Sequence, residues 1–388
     1  MSIAIFTLTS ELHQEALVMR DTQQFFDGMK LDFTWCHDDF STYGTHPLEI
    51  IFVRTGGTEG LFLRMLPMLR ERSRQPFYLL TSGKSNSLAA SMEILAYLQQ
   101  QGLRGEIIHG SKDKIVERLQ TLKRVGHVRQ QLCGSRLATI GKPSDWLIAS
   151  LADAETLKRK ADIELIDIPM EELLQCIPPQ APAKEDTSAL PGALAIYEGL
   201  KTLVERYRLD GFTLRCFDLL TAVHNTGCLA LAKLNAEGIV AGCEGDVPAM
   251  LTMRICQALT GTSGFQANPA RIDTQRDEIL FAHCTIPLNM VHRYEYDTHF
   301  ESGIGVAISG EMEEGSVTVC KVSADLSRWY VQEGELIRCQ HEQGLCRTQM
   351  LLHLPQTDYF LTRPVGNHHV IVKGQHKEVF EELMQQLS

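Results

Sequence analysis

Glu244 and the pair His368-His369 place metal-binding side chains at the ends of two apolar, strand-like runs. The motif Cys243-Glu244-Gly245-Asp246 follows Gly238-Ile239-Val240-Ala241-Gly242 and precedes Val247-Pro248-Ala249-Met250-Leu251. This reads as a strand, a sharp acidic loop and a helix with proline near its first turn. A carboxylate there sits at the C-terminal end of a strand, the edge at which open α/β sheets gather ligands. Gly366-Asn367-His368-His369 opens another run, to Lys373. Two further candidate points are His283, within Phe281-Ala282-His283-Cys284-Thr285, and the expected loop Phe265-Gln266-Ala267-Asn268-Pro269. Hard divalent cations favour oxygen, and imidazole extends the choice toward manganese, cobalt or zinc. A mixed Glu/His set suits Mn²⁺ best.

Each candidate also has a purely structural reading. Asp246 could cap the following helix while Glu244 stays solvated. His283 could be a core histidine bonded to backbone, and His368-His369 a turn entering a strand. Spacing does not decide, because the residues come from different elements and no H-E-x-x-H occurs.

The elements that must position them alternate over much of the chain. Residues 1–150 read as an N-terminal α/β domain, with strands at Ile3–Thr9, Phe33–Cys36, Leu48–Val53, Pro76–Thr81 and Glu106–Ile108 and helical periodicity over Ser87–Gln101. Two small-residue loops, Arg54–Gly60 and Thr81–Ser87, end strands here, and neither is a G-x-G-x-x-G or P-loop pattern. They could hold a sugar hydroxyl or phosphate, although turn chemistry alone also demands Gly, Ser and Thr. The run Ala138–Leu147 looks like a strand leaving this domain. Residues 151–275 read as a central α/β domain carrying Glu244. Residues 177–192, with Pro178, Pro179, Pro182 and Pro191, read as a loop or insertion. Residues 276–388 change character to short strands and a closing amphipathic helix, Glu378–Leu387, so a mostly antiparallel β domain is expected.

Composition excludes several classes. The net charge of -11, with no Lys/Arg-rich run, leaves no counterion-releasing surface for a phosphate backbone, so no nucleic-acid partner is expected. The first residues lack a basic segment followed by a long apolar one, and no run approaches the ~18 apolar residues a membrane span needs. The expectation is a cytoplasmic protein with no membrane partner. Eleven cysteines with no C-x-x-C pair read as reduced, mostly buried thiols rather than a structural zinc site.

Several stretches together resemble the L-fucose isomerase and L-arabinose isomerase superfamily: Leu231–Ile239 running into Ala241–Asp246, Ala282-His283, His299-Phe300-Glu301-Ser302-Gly303, Gly366–His369 and Ile140-Gly141-Lys142-Pro143. Their order along the chain is more specific than any single motif. The resemblance implies two parallel-sheet, Rossmann-like α/β domains followed by a β-barrel-like C-terminal domain. It also implies a Mn²⁺-dependent aldose-ketose isomerase that assembles as a homo-oligomer, a trimer or hexamer, with sites at subunit contacts. Mg²⁺ or Co²⁺ are the other ions it allows.

Carried across, the resemblance makes Glu244 the first metal-binding and catalytic carboxylate, His283 a histidine ligand and His369 the ligand of the C-terminal pair. The second catalytic carboxylate falls at Asn268, whose amide oxygen can ligate a metal but cannot exchange protons at neutral pH. Glu244 would then act as the single shuttling base, or Asp246, Asp273, Glu301 or a metal-bound water would supply the second proton. His299, His368, Asn367 and Trp329 are substrate candidates, and Trp146 a ring-face contact. The expected function is isomerisation of a free sugar (an L-fucose-like deoxyhexose, a pentose or a related hexose) through an enediol. Two alternatives remain on the same site: epimerisation, or sugar binding without turnover. A nicotinamide dehydrogenase is disfavoured by the lack of G-x-G-x-x-G.

Overall fold

The computed structural model describes residues 2–179 and 189–387; residues 180–188 of the Pro/Ala-rich stretch, Pro182 among them, lie outside the described residues. The chain divides into two compact units, Met1–Gln130 and Gln131–Ser388.

In the first unit, β1 (Ile3–Leu8), β2 (Phe33–His37), β3 (Glu49–Val53), β4 (Phe77–Thr81) and β5 (Gly105–Ile108) form one sheet of order β2-β1-β3-β4-β5. All its pairings are parallel. Successive side chains of a strand face opposite sides, and β1 shows the result directly. Ala4, Phe6 and Leu8 enter a core with Phe62, Leu66 and Leu69 of the helix Glu59–Arg72. Ile3 and Ile5 enter a second core with Ile115, Leu119 and Leu122 of the helix Lys112–Leu132. Both faces are covered along the inner strands β1, β3 and β4, which are buried throughout and read as largely apolar runs, whereas the edge strand β2 is more exposed. The two small-residue loops meet, with the Gly56 N–H donating to the Ser85 carbonyl at 2.7 Å. Gly57, Gly83, Ser85 and Asn86 all take left-handed φ, a conformation that suits the two glycines and Asn86.

The second unit opens with another parallel sheet. Its strands are β6 (Arg136–Ile140), β7 (Glu164–Ile168), β8 (Gly211–Leu214) and β9 (Val240–Cys243), in the order β7-β6-β8-β9. The strand expected to leave the first domain is therefore an inner member of this sheet. Its apolar alternation is the same whichever sheet it joins; pairing with β7 and β8 decides the matter. The segment 265–269, expected as a loop, is likewise the start of a strand, β10 (Phe265–Asp273). Pro269 is accommodated there at a register shift, where a missing N–H costs little.

After β10 the chain adds β11 (Glu278–His283), β12 (Arg293–Asp297), β13 (Ala307–Glu311), β14 (Gly315–Val322), β15 (Trp329–Cys339), β16 (Thr348–His353) and β17 (His369–Lys373). Five of them join β10 in a closed antiparallel barrel, β10-β11-β16-β15-β14-β17, while β12 and β13 form a separate ribbon. The barrel interior is filled by Phe265, Ala267, Ile279, Phe281, Val317, Val319, Met350 and Ile371. The helix Val247–Thr260, which follows Glu244, packs on β8 and β9 on one side and on β14 and β17 on the other. That double contact explains why it is apolar almost all round. It also brings the end of β9 against the start of β17, the two places where the candidate ligands lie. No helix among the described residues is long and apolar enough to cross a membrane.

Candidate metal centre

Glu244 leaves β9 in an unusual backbone state. Its φ is +63°, a left-handed conformation that costs a β-carbon-bearing residue free energy, and Gly245 follows at +69°. The Gly245 N–H donates to the Leu214 carbonyl at 3.0 Å, and the Glu244 carbonyl accepts from the Ser144 N–H at 3.2 Å. A β-carbon on Gly245 would lie 2.6 Å from the Lys142 carbonyl oxygen, so the turn needs glycine as well as these partners. This turn, clamped on two sides, sets the direction of the Glu244 side chain.

The two carboxylate oxygens have different neighbours. Oε2 accepts from Trp146 Nε1 at 2.9 Å. Oε1 faces His368 Nε2 at 3.4 Å and His283 Nε2 at 3.8 Å. One ligand-capable atom from each of Glu244, His283 and His368 falls within 4.8 Å of the others. Both imidazoles are oriented through their other nitrogen. His283 Nδ1 pairs with the Thr285 hydroxyl at 3.1 Å, and His368 Nδ1 donates to Asp246 Oδ2 at 2.8 Å. Fixing Nδ1 in this way presents Nε2 inward, as metal-ligating histidines are commonly held.

Asp246 has two roles at once. Its Oδ1 accepts from the Ala249 N–H at 2.8 Å, capping the helix, while Oδ2 receives His368 and lies 3.5 Å from Lys321 Nζ. The cap reading of Asp246 therefore holds together with its place beside the imidazole. Lys321 is the functional-type residue that the sequence reading missed. Its signal was present, as a lone lysine in the apolar strand Val317-Thr318-Val319-Cys320-Lys321-Val322.

Charges in this group are strongly coupled. Burial raises the Glu244 carboxyl, but the nearby His368 and His283 rings outweigh it and hold the group far below the usual carboxylate range. Asp246 is also opposed by burial, yet the Lys321 ammonium and His368 bring it down to about 2. For His368, burial disfavours the cation, while Asp246 and Glu244 overcome that and raise it to about 9. Its Nε2 is sealed from solvent without a hydrogen-bond partner. An orphaned buried nitrogen aimed at a carboxylate and a second imidazole fits a bound cation. Two imidazoles and a carboxylate make a donor set for a borderline divalent ion.

His369, the expected ligand, is elsewhere. Its Nδ1 donates to the Asn367 carbonyl at 2.9 Å and its Nε2 meets the Tyr359 hydroxyl at 3.2 Å. Phe281, Phe360 and Tyr330 surround the ring, and burial pushes its pKa down to about 3. The reason is strand alternation: one residue's slip exchanges the two faces, so His368 points toward the end of β9 and His369 into the barrel.

The other candidates divide. Asn268, His299 and Glu301 line a small cavity with Glu244 and His283. Asn268 is half-buried and its amide oxygen accepts from Asn367 Nδ2 at 3.4 Å. His299 pairs with the Ser302 hydroxyl at 3.0 Å and packs edge-on against Phe217, another lining residue. Asp246 lies behind His368 and is fully buried, out of reach of a substrate. Trp329 begins β15 opposite Val322, away from the cavity lining, and Asp273 ends β10 at its far end. Trp146, half exposed, is the indole that the geometry brings to the carboxylate.

Comparison with known proteins finds sugar isomerases at low identity. Over 192 residues the chain is 24% identical to a sulfoquinovose isomerase of Clostridium sp. (strain MSTE9), covering 45% of this chain and 43% of that protein. Over 130 residues it is 25% identical to sulfoquinovose isomerases of Priestia aryabhattai and Priestia megaterium (strain ATCC 12872 / QMB1551), covering 32% of this chain and 29% of each. The chain thus spans less than half the length of the curated relatives it matches. No family model matches it.

Proposed function

We propose that this chain is a metal-dependent aldose-ketose isomerase acting on a free sugar. One observation carries the reading: the half-buried Glu244 converges with the buried His283 and His368, and His368 Nε2 has no hydrogen-bond partner while its Nδ1 is held by Asp246. Glu244, His283 and His368 would hold the cation, with the Asn268 amide oxygen at the cavity edge as a neutral fourth donor. A bound Mn²⁺ or similar ion would polarise the carbonyl and adjacent hydroxyl of an open-chain sugar. The similarity to sugar isomerases supports the same class of substrate.

The protein's own groups then divide the work. Isomerisation moves one proton from the carbon beside the carbonyl to the carbonyl carbon, and a second from the hydroxyl on that neighbouring carbon to the carbonyl oxygen, with no net redox change. Glu244 presents its carboxylate to the cavity, and Trp146 fixes its Oε2, so it is the group to take and return the carbon-bound proton. Asn268 holds a hydroxyl through its amide and takes no proton. His299, which burial keeps below the usual imidazole pKa, is a neutral partner for a sugar hydroxyl.

The test is incubation of the manganese-loaded protein with a panel of aldoses in D₂O, followed by NMR. The panel includes deoxyhexoses, pentoses and a hexose with an anionic C6 group, the last because of the relatives' names. Ketose formation with deuterium at the transferred position is expected, and Glu244→Gln should lose both signals. A second reading, sugar binding without turnover, is motivated by Asn268. It wins if a sugar binds metal-dependently while neither signal forms, and a new aldose epimer in place of a ketose marks epimerisation.

A further inference from the structure

Five cysteines far apart in sequence, Cys216, Cys228, Cys243, Cys284 and Cys346, line the cavity beside Glu244, and all are free thiols. We propose that two of them, Cys216 and Cys243, form a reversible oxidative modification site, cross-linked by a hydroperoxide into a disulfide on the cavity wall. Their Sγ atoms already lie 3.1 Å apart. A disulfide needs about 2.05 Å, so closure asks for a movement of about 1 Å. Cys243 is the last residue of β9, directly before Glu244, and Cys216 is the first residue of the helix Cys216–Val223.

Exposure assigns the order of events. Both line the cavity, but Cys216 is half-buried whereas Cys243 is buried. The Cys216 sulfur attacks the peroxide; an S–O bond forms, the O–O bond breaks, and the leaving oxygen takes up a proton as water or an alcohol. Cys216 is now a sulfenic acid. The Cys243 sulfur then attacks it; the S–S bond forms, the S–O bond breaks, and the released hydroxide takes the Cys243 proton as water. Two thiols and one hydroperoxide give one disulfide, one water and one water or alcohol.

The packing indicates which side moves. The Cys243 main chain is clamped, its N–H donating to Gln266 Oε1 at 2.8 Å and its carbonyl accepting from Gln266 Nε2 at 3.2 Å and from the Thr213 hydroxyl at 3.3 Å. Closure therefore falls on the start of the helix Cys216–Val223. That segment carries Phe217, whose ring lies 5.3 Å from Trp146 and 5.8 Å from His299, centroid to centroid. The cross-link would redraw the cavity wall opposite a carboxylate that stays in place.

The experiment treats the reduced, manganese-loaded full chain with a few equivalents of hydrogen peroxide, blocks remaining thiols with N-ethylmaleimide, and maps peptides by mass spectrometry with and without dithiothreitol. The expected product is a dithiothreitol-sensitive peptide pair joined through Cys216 and Cys243. It should be absent in Cys216→Ser and Cys216→Ala and retained in Cys346→Ala. Over-oxidation of Cys216 without a cross-link, or a link between Cys284 and Cys346 instead, overturns the proposal. The consequence for turnover rests on the isomerase reading: a wall shift of this size should give a loss of at least ~10-fold, reversed by dithiothreitol. A link that forms without changing turnover overturns that consequence. A link in a protein that never isomerises a sugar refutes the isomerase reading and leaves the modification site standing.

Discussion

At the scale of single residues, the His368 imidazole ties the proposed metal site to pH. With its pKa raised to about 9 by Asp246 and Glu244, the metal-free ring is protonated at neutral pH. A cation must displace that proton from Nε2, because Nδ1 is committed to Asp246. Below the raised pKa every unit of pH should strengthen Mn²⁺ binding by about tenfold, and the gain should level off above pH 9. Titration calorimetry in buffers of different ionisation enthalpy measures both the slope and the released proton; an affinity independent of pH would remove His368 from the ligand set. Asp246→Asn keeps an oxygen for the helix cap but loses the charge that holds Nδ1–H, and should weaken Mn²⁺ by roughly 10–100-fold. His369→Gln should leave Mn²⁺ affinity within about threefold, since both ring nitrogens of His369 are engaged elsewhere.

At the scale of elements, the decisive piece is the turn between β9 and the helix Val247–Thr260. Glu244 and Gly245 are both left-handed, and Gly245 sits against the Lys142 carbonyl and Pro143. Gly245→Ala should destabilise the second unit by more than about 2 kcal/mol, combining the left-handed cost with the clash. It should also shift the segment that presents Trp146 to Glu244. The urea midpoint reports the first effect and Mn²⁺ affinity the second; an unchanged midpoint would show that the turn is not strained. Much of this element was legible in the sequence. An apolar run, Glu-Gly-Asp and Val-Pro are local signals for a strand, a tight turn and a capped helix. The segment around Asn268 was not legible in the same way, because Pro269 looks like a loop residue until a barrel neighbour supplies a bulge to hold it.

At the scale of the whole molecule, acid stability should follow His369. Its folded pKa, lowered to about 3 chiefly by burial and secondly by the Lys321 charge, lies below the ordinary value of 6.5. The unfolded chain therefore binds this proton more readily. The neutral ring's stability is complete above pH 6.5 and is lost as the pH falls toward 3. Between pH 6.5 and 4.5 the loss should be on the order of 2–3 kcal/mol from this group. Denaturant melts of the wild type and His369→Phe test it. The variant's stability should be lower at neutral pH but flatter over this interval, and parallel profiles would show that His369 does not set the acid limb.

Local chemistry thus determined a good deal: the alternation of strands and helices, the acidic turn at Glu244, the capping aspartate and the concentration of candidate ligands at strand ends. These follow from interactions within a few residues, which the order of residues states directly. Three things required the tertiary structure. Which of His368 and His369 faces Glu244 depends on which face of β17 meets the barrel interior, and period-two alternation defines two faces without saying which is inside. Lys321 joins Asp246 only because β14 and the helix Val247–Thr260 pack together. Cys216, Cys228, Cys243, Cys284 and Cys346 converge on one cavity because parallel crossovers and barrel closure bring together positions that no spacing rule connects.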